Sequence, residues 1–179
     1  MTTDRRADSA TNNATPVLAG SSMATRVDGL DFVATRVFAA PRTVVFGAFS
    51  ECRSLARWWG PIDWTLPVCE MDFRTGGSWF YCMSGPGAEL SCGRSTYREI
   101  VAPERIVYVD VFVDRAGNLL PGMPEMQVVL TFDEQDGRTT LTSRATFASA
   151  KDLETVVSMG MVDGLTETWD RLEAYLATV

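Results

Sequence analysis

Tyr81, Tyr97, Arg94, Glu99 and Asp110 are the side chains that could transfer protons here, and the chain contains no histidine at all. That absence removes the commonest general base and the commonest transition-metal ligand. No pair among the five is forced together by spacing. Asp110 alternates in phase with Tyr108 and Phe112, which would bury its carboxylate beside them, but a solvated outward aspartate is the expectation. Arg74, in Asp72-Phe73-Arg74, either faces a ligand carboxylate or pairs with Asp72 or Glu70. Pairing is expected, because an unpartnered buried guanidinium is costly. Gly76-Gly77 lacks the Lys-Ser/Thr of a phosphate cradle and precedes a strand, so it reads as a sharp turn or bulge. No nucleophile motif, metal cluster or dinucleotide fingerprint is present, so no catalytic residue, cofactor or metal is assigned.

Large apolar side chains are what the sequence offers instead. Trp58 and Trp59 end a short helix just before the forced bend at Gly60-Pro61, so at least one indole should point inward. Trp79, Tyr81 and Met83 alternate onto one strand face, and antiparallel pairing about Gly87 brings Tyr97 to the same face. Met161, Leu165 and Trp169 lie on a helical apolar stripe. Rigid aromatics interleaved with adaptable methionines suit an apolar ligand, although they equally suit an ordinary core. The candidate lining is therefore Trp58, Trp59, Trp79, Tyr81, Met83, Tyr97, Met161, Leu165 and Trp169, with Arg74 as the polar contact and Trp169 the first to surrender.

The elements that must position these groups can be read from periodicity. Residues 1–28 are rich in Thr, Ser, Ala, Asn and Asp without sustained pattern and read as a flexible polar tail, leaving 29–179 as one domain. Phe32, Val33, Val37 and Phe38 form a strand ended by Ala40-Pro41, and two short helices follow, the second over residues 52–58. Strands are expected at about 78–83, 91–100, 105–114, 126–134 and 139–147, the last two joined by an Asp136-Gly137 hairpin. Pro121-Gly122-Met123-Pro124 marks a loop. Ser149 caps a final helix with Asp152 three residues on, and one stripe from Leu153 to Leu176 predicts a single helix over 151–178. Gly160 and Gly164 inside it should serve close approach or leave a hollow. A curled antiparallel sheet closed by one long helix is an α+β arrangement that encloses space.

Composition narrows the partners. Sixteen Lys and Arg stand against 23 Asp and Glu, a net charge of -7, and no basic stripe offsets it. Nucleic acid and anionic membrane are both bound mainly through clustered cations, so neither is expected. No apolar run suits a bilayer span or a secretory signal, and a cytoplasmic location is the simple reading. Cys52, Cys69, Cys82 and Cys92 are too few and too unevenly spaced for a disulfide scaffold; Cys82 and Cys92 fall opposite one another in the Gly87-centred pairing, which would permit a cross-strand disulfide, but two reduced small hydrophobes are the expectation for that pair. Phe80, Cys82 and Cys92 place apolar atoms on the outer face, which the tail or a second subunit of a homodimer is expected to cover.

Ala40-Pro41-Arg42, Trp58-Trp59-Gly60-Pro61, 72-DFRTGGSW-79, 83-MSGPG-87, 97-YREIVAPERI-106 and 160-GMVDG-164 occur in an order that resembles the bacterial family related to the C-terminal domain of the activator of the heat-shock-protein-90 ATPase, within the START-like (SRPBCC) superfamily. The resemblance covers about residues 32–176. It implies a helix-grip fold, a curved antiparallel sheet wrapped around a long C-terminal helix with a cavity between them. Relatives include lipid carriers, hormone receptors and aromatic polyketide cyclases, so the fold leaves activity open. Thr75 stands where proline is usual, and Ser95 where glycine is frequent. The leading expectation is a binder of a small hydrophobic or aromatic molecule rather than an enzyme. Two alternatives accompany it: an interaction module modulating a chaperone or other ATPase, and a cyclase-like or hydrolytic enzyme using Tyr and Asp or Glu.

Overall fold

Apolar alternation from Phe32 onward demands a sheet with one dry face, and the computed structural model, which describes residues 23–179, provides it. In chain order the elements are β1 (Ala24–Asp28), β2 (Asp31–Phe38), α1 (Arg42–Gly47), α2 (Cys52–Trp58), β3 (Thr65–Met71), β4 (Ser78–Ser84), β5 (Leu90–Val101), β6 (Arg105–Val113), β7 (Met126–Gln135), β8 (Arg138–Phe147), α3 (Ala150–Ser158) and α4 (Met161–Leu176). The strands form one curved antiparallel sheet in the order β1-β2-β8-β7-β6-β5-β4-β3. Helices cover its inner face, where Phe38, Phe132, Leu141 and Ile106 are buried with Trp58, Leu55 and Leu172.

Most of the expected punctuation is observed. Asp136 and Gly137 both take positive φ, 53° and 71°, as a tight hairpin requires. Ser149 Oγ accepts a hydrogen bond from the Asp152 backbone N–H at 3.2 Å, capping α3. Cys82 pairs with Cys92 and Ser84 with Leu90, the Gly87-centred register. α2 spans the residues foreseen for it.

Several expectations change. The reading of residues 1–28 as tail is corrected at its end, because Ala24–Asp28 pairs with β2 as an edge strand; residues 1–22 lie outside the described residues. β3 was not foreseen; it contains Pro67, whose missing donor costs little at the sheet edge. The single helix over 151–178 is two helices. Gly160 sits at φ 91°, a left-handed conformation that ends α3 and starts α4, so the apolar stripe continues across a break in the backbone. Here the sequence periodicity reported the shared dry face and could not report the kink.

The reduced-cysteine expectation is also overturned. Cys82 and Cys92 are bonded across β4 and β5 with Cα atoms 4.1 Å apart, and Cys52 is bonded to Cys69, tying α2 to β3 over 5.7 Å. On the outer face the first pair packs with Val113, Val68, Phe80 and Val111 as a small second cluster. Closing a loop of 17 residues is worth roughly 3 kcal/mol in the chain-entropy account. Intact mass before and after reduction should therefore differ by two hydrogens per bond for two bonds, and the reduced protein should melt lower. Four alkylatable thiols in the untreated protein would contradict the pairing.

Candidate functional site

α4 is seated unevenly, and the site follows from that. Trp169, Leu172 and Leu176, in its C-terminal half, are buried, whereas Met161, Val162 and Leu165 at its start are only partly so. Trp169 is 2% exposed and meets Phe38 edge-on at 6.1 Å between ring centres. Arg36 of β2, itself buried, donates to Asp170 at 2.6 Å and to Glu173, fastening the same half of the helix to the sheet. Arg171 Nη1 lies among the carbonyl oxygens of Gly60, Pro61 and Trp64, at 2.9 to 3.1 Å, and holds the Gly60-Pro61 bend against α4. The N-terminal half of α4 is thereby held off the sheet.

Beneath it lies a partly open cavity of about 250 Å³, walled by Trp59, Met83, Tyr108, Met126, Met161 and Leu165 among others. A second chamber of about 310 Å³ adjoins it and runs under the α3–α4 break, where Met159 and Gly160 meet Tyr81 and Phe112. Pro61, Met83, Asp110, Met126 and Met161 border both chambers. A void of about 20 Å³, room for roughly one water, continues between Trp59, Trp79, Tyr97 and Phe73.

The expected lining thus divides. Trp59, Trp79, Tyr81, Met83, Tyr97, Met161 and Leu165 all border these spaces. Trp58 does not: it is fully buried and donates its indole N–H to the Ala48 carbonyl at 3.1 Å, a core residue. Trp169 is a core residue too, as described. Arg74 is 69% exposed and pairs with Asp72 in the turn before β4, away from every cavity; the pairing reading holds and the ligand-contact reading is corrected. Gly76-Gly77 is a sharp turn, where a Cβ on Gly77 would stand 2.1 Å from the Asp72 carbonyl oxygen.

Asp110 is the largest correction. The outward, solvated aspartate is in fact on the inner face, where its carboxylate borders both chambers. Its phase with Tyr108 and Phe112 was the correct signal, outweighed by the usual exposure of aspartate. Ser95 Oγ, from the neighbouring strand β5, donates to Asp110 Oδ1 at 2.7 Å, and Tyr81 Oη lies 3.5 Å from Oδ2. Burial pushes the Asp110 carboxyl up to about 6, partly offset by these two donors. Burial first, and the Asp110 charge second, raise the hydroxyls of Tyr81, Tyr97 and Tyr108 well above the ordinary tyrosine range, so all three stay neutral donors. Ser95 is what supplies the short hydrogen bond. Tyr108, Met126 and Val128 line the cavity as well; alternation assigns each to a strand face but does not say which face is inward.

Trp59 is the hub of the aromatic wall, with Trp79 at 4.8 Å and Tyr81 at 5.8 Å between ring centres. Its buried indole N–H has no partner among the described residues. Tyr81 lies flat across Gly93 on β5, where a Cβ would fall 2.4 Å from its hydroxyl oxygen. Glycine is therefore required there for close approach.

The fold and cavity define a helix-grip, START-like protein, in which a sheet curves around a C-terminal helix. Residues 39–177 match the family described as Activator of Hsp90 ATPase homolog 1-like protein, and the chain belongs to that family. It is similar to the crystal structure of a protein from Mycobacterium smegmatis, at 31% identity and TM-score 0.79, covering 86% of this chain and 94% of that one. Solution structures of proteins from Arthrobacter aurescens (27% identity, TM-score 0.80, 89% and 94% covered) and Staphylococcus epidermidis (31%, 0.74, 87% and 94%) are alike as well. No functionally curated protein matches the chain. Among the described residues no group of His, Cys, Asp and Glu could hold a metal ion, and no helix is long and apolar enough to cross a membrane.

Two variants test this geometry. Asp110→Asn keeps an acceptor oxygen for Ser95, puts an amide N–H beside Tyr81 Oη, which can accept it, and removes the charge. An aspartate ordinarily titrates near ~3.9, so between there and its folded value of about 6 the native state binds more protons than the unfolded chain and stability falls as pH rises. The variant should melt several degrees above the wild type at neutral pH, with the difference vanishing below about pH 4 in thermal scans. Gly93→Ala should lose about 1–3 kcal/mol in denaturant unfolding by driving Tyr81 out of place; an unchanged midpoint would contradict the contact.

Proposed function

We propose that this protein binds a small hydrophobic or aromatic molecule in the cavity between the sheet and the start of α4, with no chemical step assigned. The observation that carries the reading is the hollow of about 250 Å³, bounded mainly by apolar and aromatic groups with Asp110 and Ser95 as convergent polar atoms. A solid core would have placed a side chain there, because protein interiors pack like crystals. Helix-grip proteins of this superfamily commonly bind hydrophobic ligands, which is consistent with it. Trp59, Tyr81, Met83, Tyr97, Met161 and Leu165 are the proposed contacts, Met83 and Met161 adapting to ligand shape.

A second reading has one specific observation in its favour. An aspartate with its carboxyl near 6, beside neutral tyrosine hydroxyls in a cavity, is what proton-transfer chemistry would need. Modulation of a chaperone ATPase rests on the family description alone. The two cystines favour an oxidising compartment over the cytoplasm that composition suggests.

Native mass spectrometry of freshly purified protein should reveal a bound small molecule, or a thermal-shift screen of aromatic and aliphatic compounds should raise the melting temperature by several degrees for some. Ligand at a hundredfold excess over Kd stabilises by about 2.7 kcal/mol. A protein that carries nothing and responds to none would refute the reading.

A further inference from the structure

We propose that the ligand is cationic: an apolar or aromatic molecule carrying a protonated basic nitrogen, which docks on the Asp110 carboxylate within the aromatic wall. This rests on the cavity being a binding site and adds the charge of its occupant. Asp110 is the one ionised side chain bordering either large chamber among the described residues; no Lys or Arg lines them. Its protein partners are neutral donors, Ser95 at 2.7 Å and Tyr81 at a long 3.5 Å. A carboxylate has about four lone-pair sites, so acceptor capacity remains for a group in the cavity.

A buried charge is ordinarily matched by an opposite one. Here none is supplied among the described residues, whereas Arg36 and Arg144 each find carboxylates elsewhere. The rings of Trp59, Tyr81 and Tyr108 border the same spaces, and the faces of such rings attract cations at up to ~6 Å. An anionic ligand would meet Asp110 with no cation to receive it, so fatty acids and aromatic acids are disfavoured. The net charge of -7 acts in the same direction at longer range.

Every group facing Asp110 supports reading its titration simply. Tyr81 of β4, Tyr97 of β5 and Tyr108 of β6 remain neutral through the range concerned, while Ser95 of β5, Met126 of β7, Ser143 of β8 and Met161 of α4 do not titrate. Protonation of Asp110 below about pH 6 should therefore release a cation and leave a neutral ligand in place.

Phenylbutylamine, phenylbutanol and phenylbutyrate share one apolar body and differ in charge, and calorimetry of the full chain with each separates the claims. The amine should bind about tenfold or more tightly than the alcohol, and the acid least. Asp110→Asn, checked for folding by circular dichroism, should abolish the preference for the amine over the alcohol. Amine affinity for the wild type should also fall below about pH 6 although the amine stays protonated, so the inference remains testable if the variant fails to fold. Alcohol binding without preference for the amine, or an amine held equally by Asp110→Asn or at acid pH, would overturn the cation while leaving the cavity reading intact. Failure of all three probes would count against both.

Discussion

The whole arrangement depends on α4 being fixed at one end only. Trp169 and Leu172 sink into the sheet beside Phe38, and Arg36 reaches from β2 to two acidic side chains of the same helical stretch. Those contacts settle where the helix axis lies. At its N-terminal end Met161, Gly164 and Leu165 stand over empty space instead. Arg171 holds the bend carrying Trp59, and the Gly160 kink turns α3 over the second chamber. A helix anchored evenly along its length would have closed the hollow.

The cavity's chemistry follows from the sheet's pleat. Period-two alternation puts Trp79, Tyr81 and Met83 inward from β4 and Tyr108, Asp110 and Phe112 inward from β6. β5 runs between them, and its small residues Gly93 and Ser95 leave room for Tyr81 to lie across the backbone and for a hydroxyl to meet the Asp110 carboxylate. One acid in a mainly apolar chamber is costly when ionised, which is why its carboxyl is pushed up to about 6. The same cost gives the site its selectivity, because a ligand that neutralises the charge regains part of it.

Much of this was legible in the residues. Alternation, the Asp136-Gly137 turn, the Ser149 cap and the Gly87-centred register were local signals that the structure keeps. So was the inward face carrying Trp59, Trp79, Tyr81 and Tyr97. What failed depended on contacts distant in sequence. The Cys52–Cys69 bond arises because α2 leans on β3, which no spacing announces. The kink at Gly160 preserves the apolar stripe and so hides in it. Trp58 and Trp169 are indistinguishable by type from cavity residues, and only packing assigns them to the core. Arg74 lies in a turn whose exposure depends on where β3 ends. Asp110 was placed outward on the general habit of aspartate, against its own phase.

Methionine methyl groups give the most direct view of the central claim. Met83, Met126 and Met161 border both chambers, while Met71 and Met123 border neither. With carbon-13 in the methionine methyls, titration with a small aromatic alcohol should move the resonances of the first three together through ring-current shifts and leave the other two in place. Uniform small shifts, or none, at saturating probe would mean that the space beneath α4 does not admit a ligand.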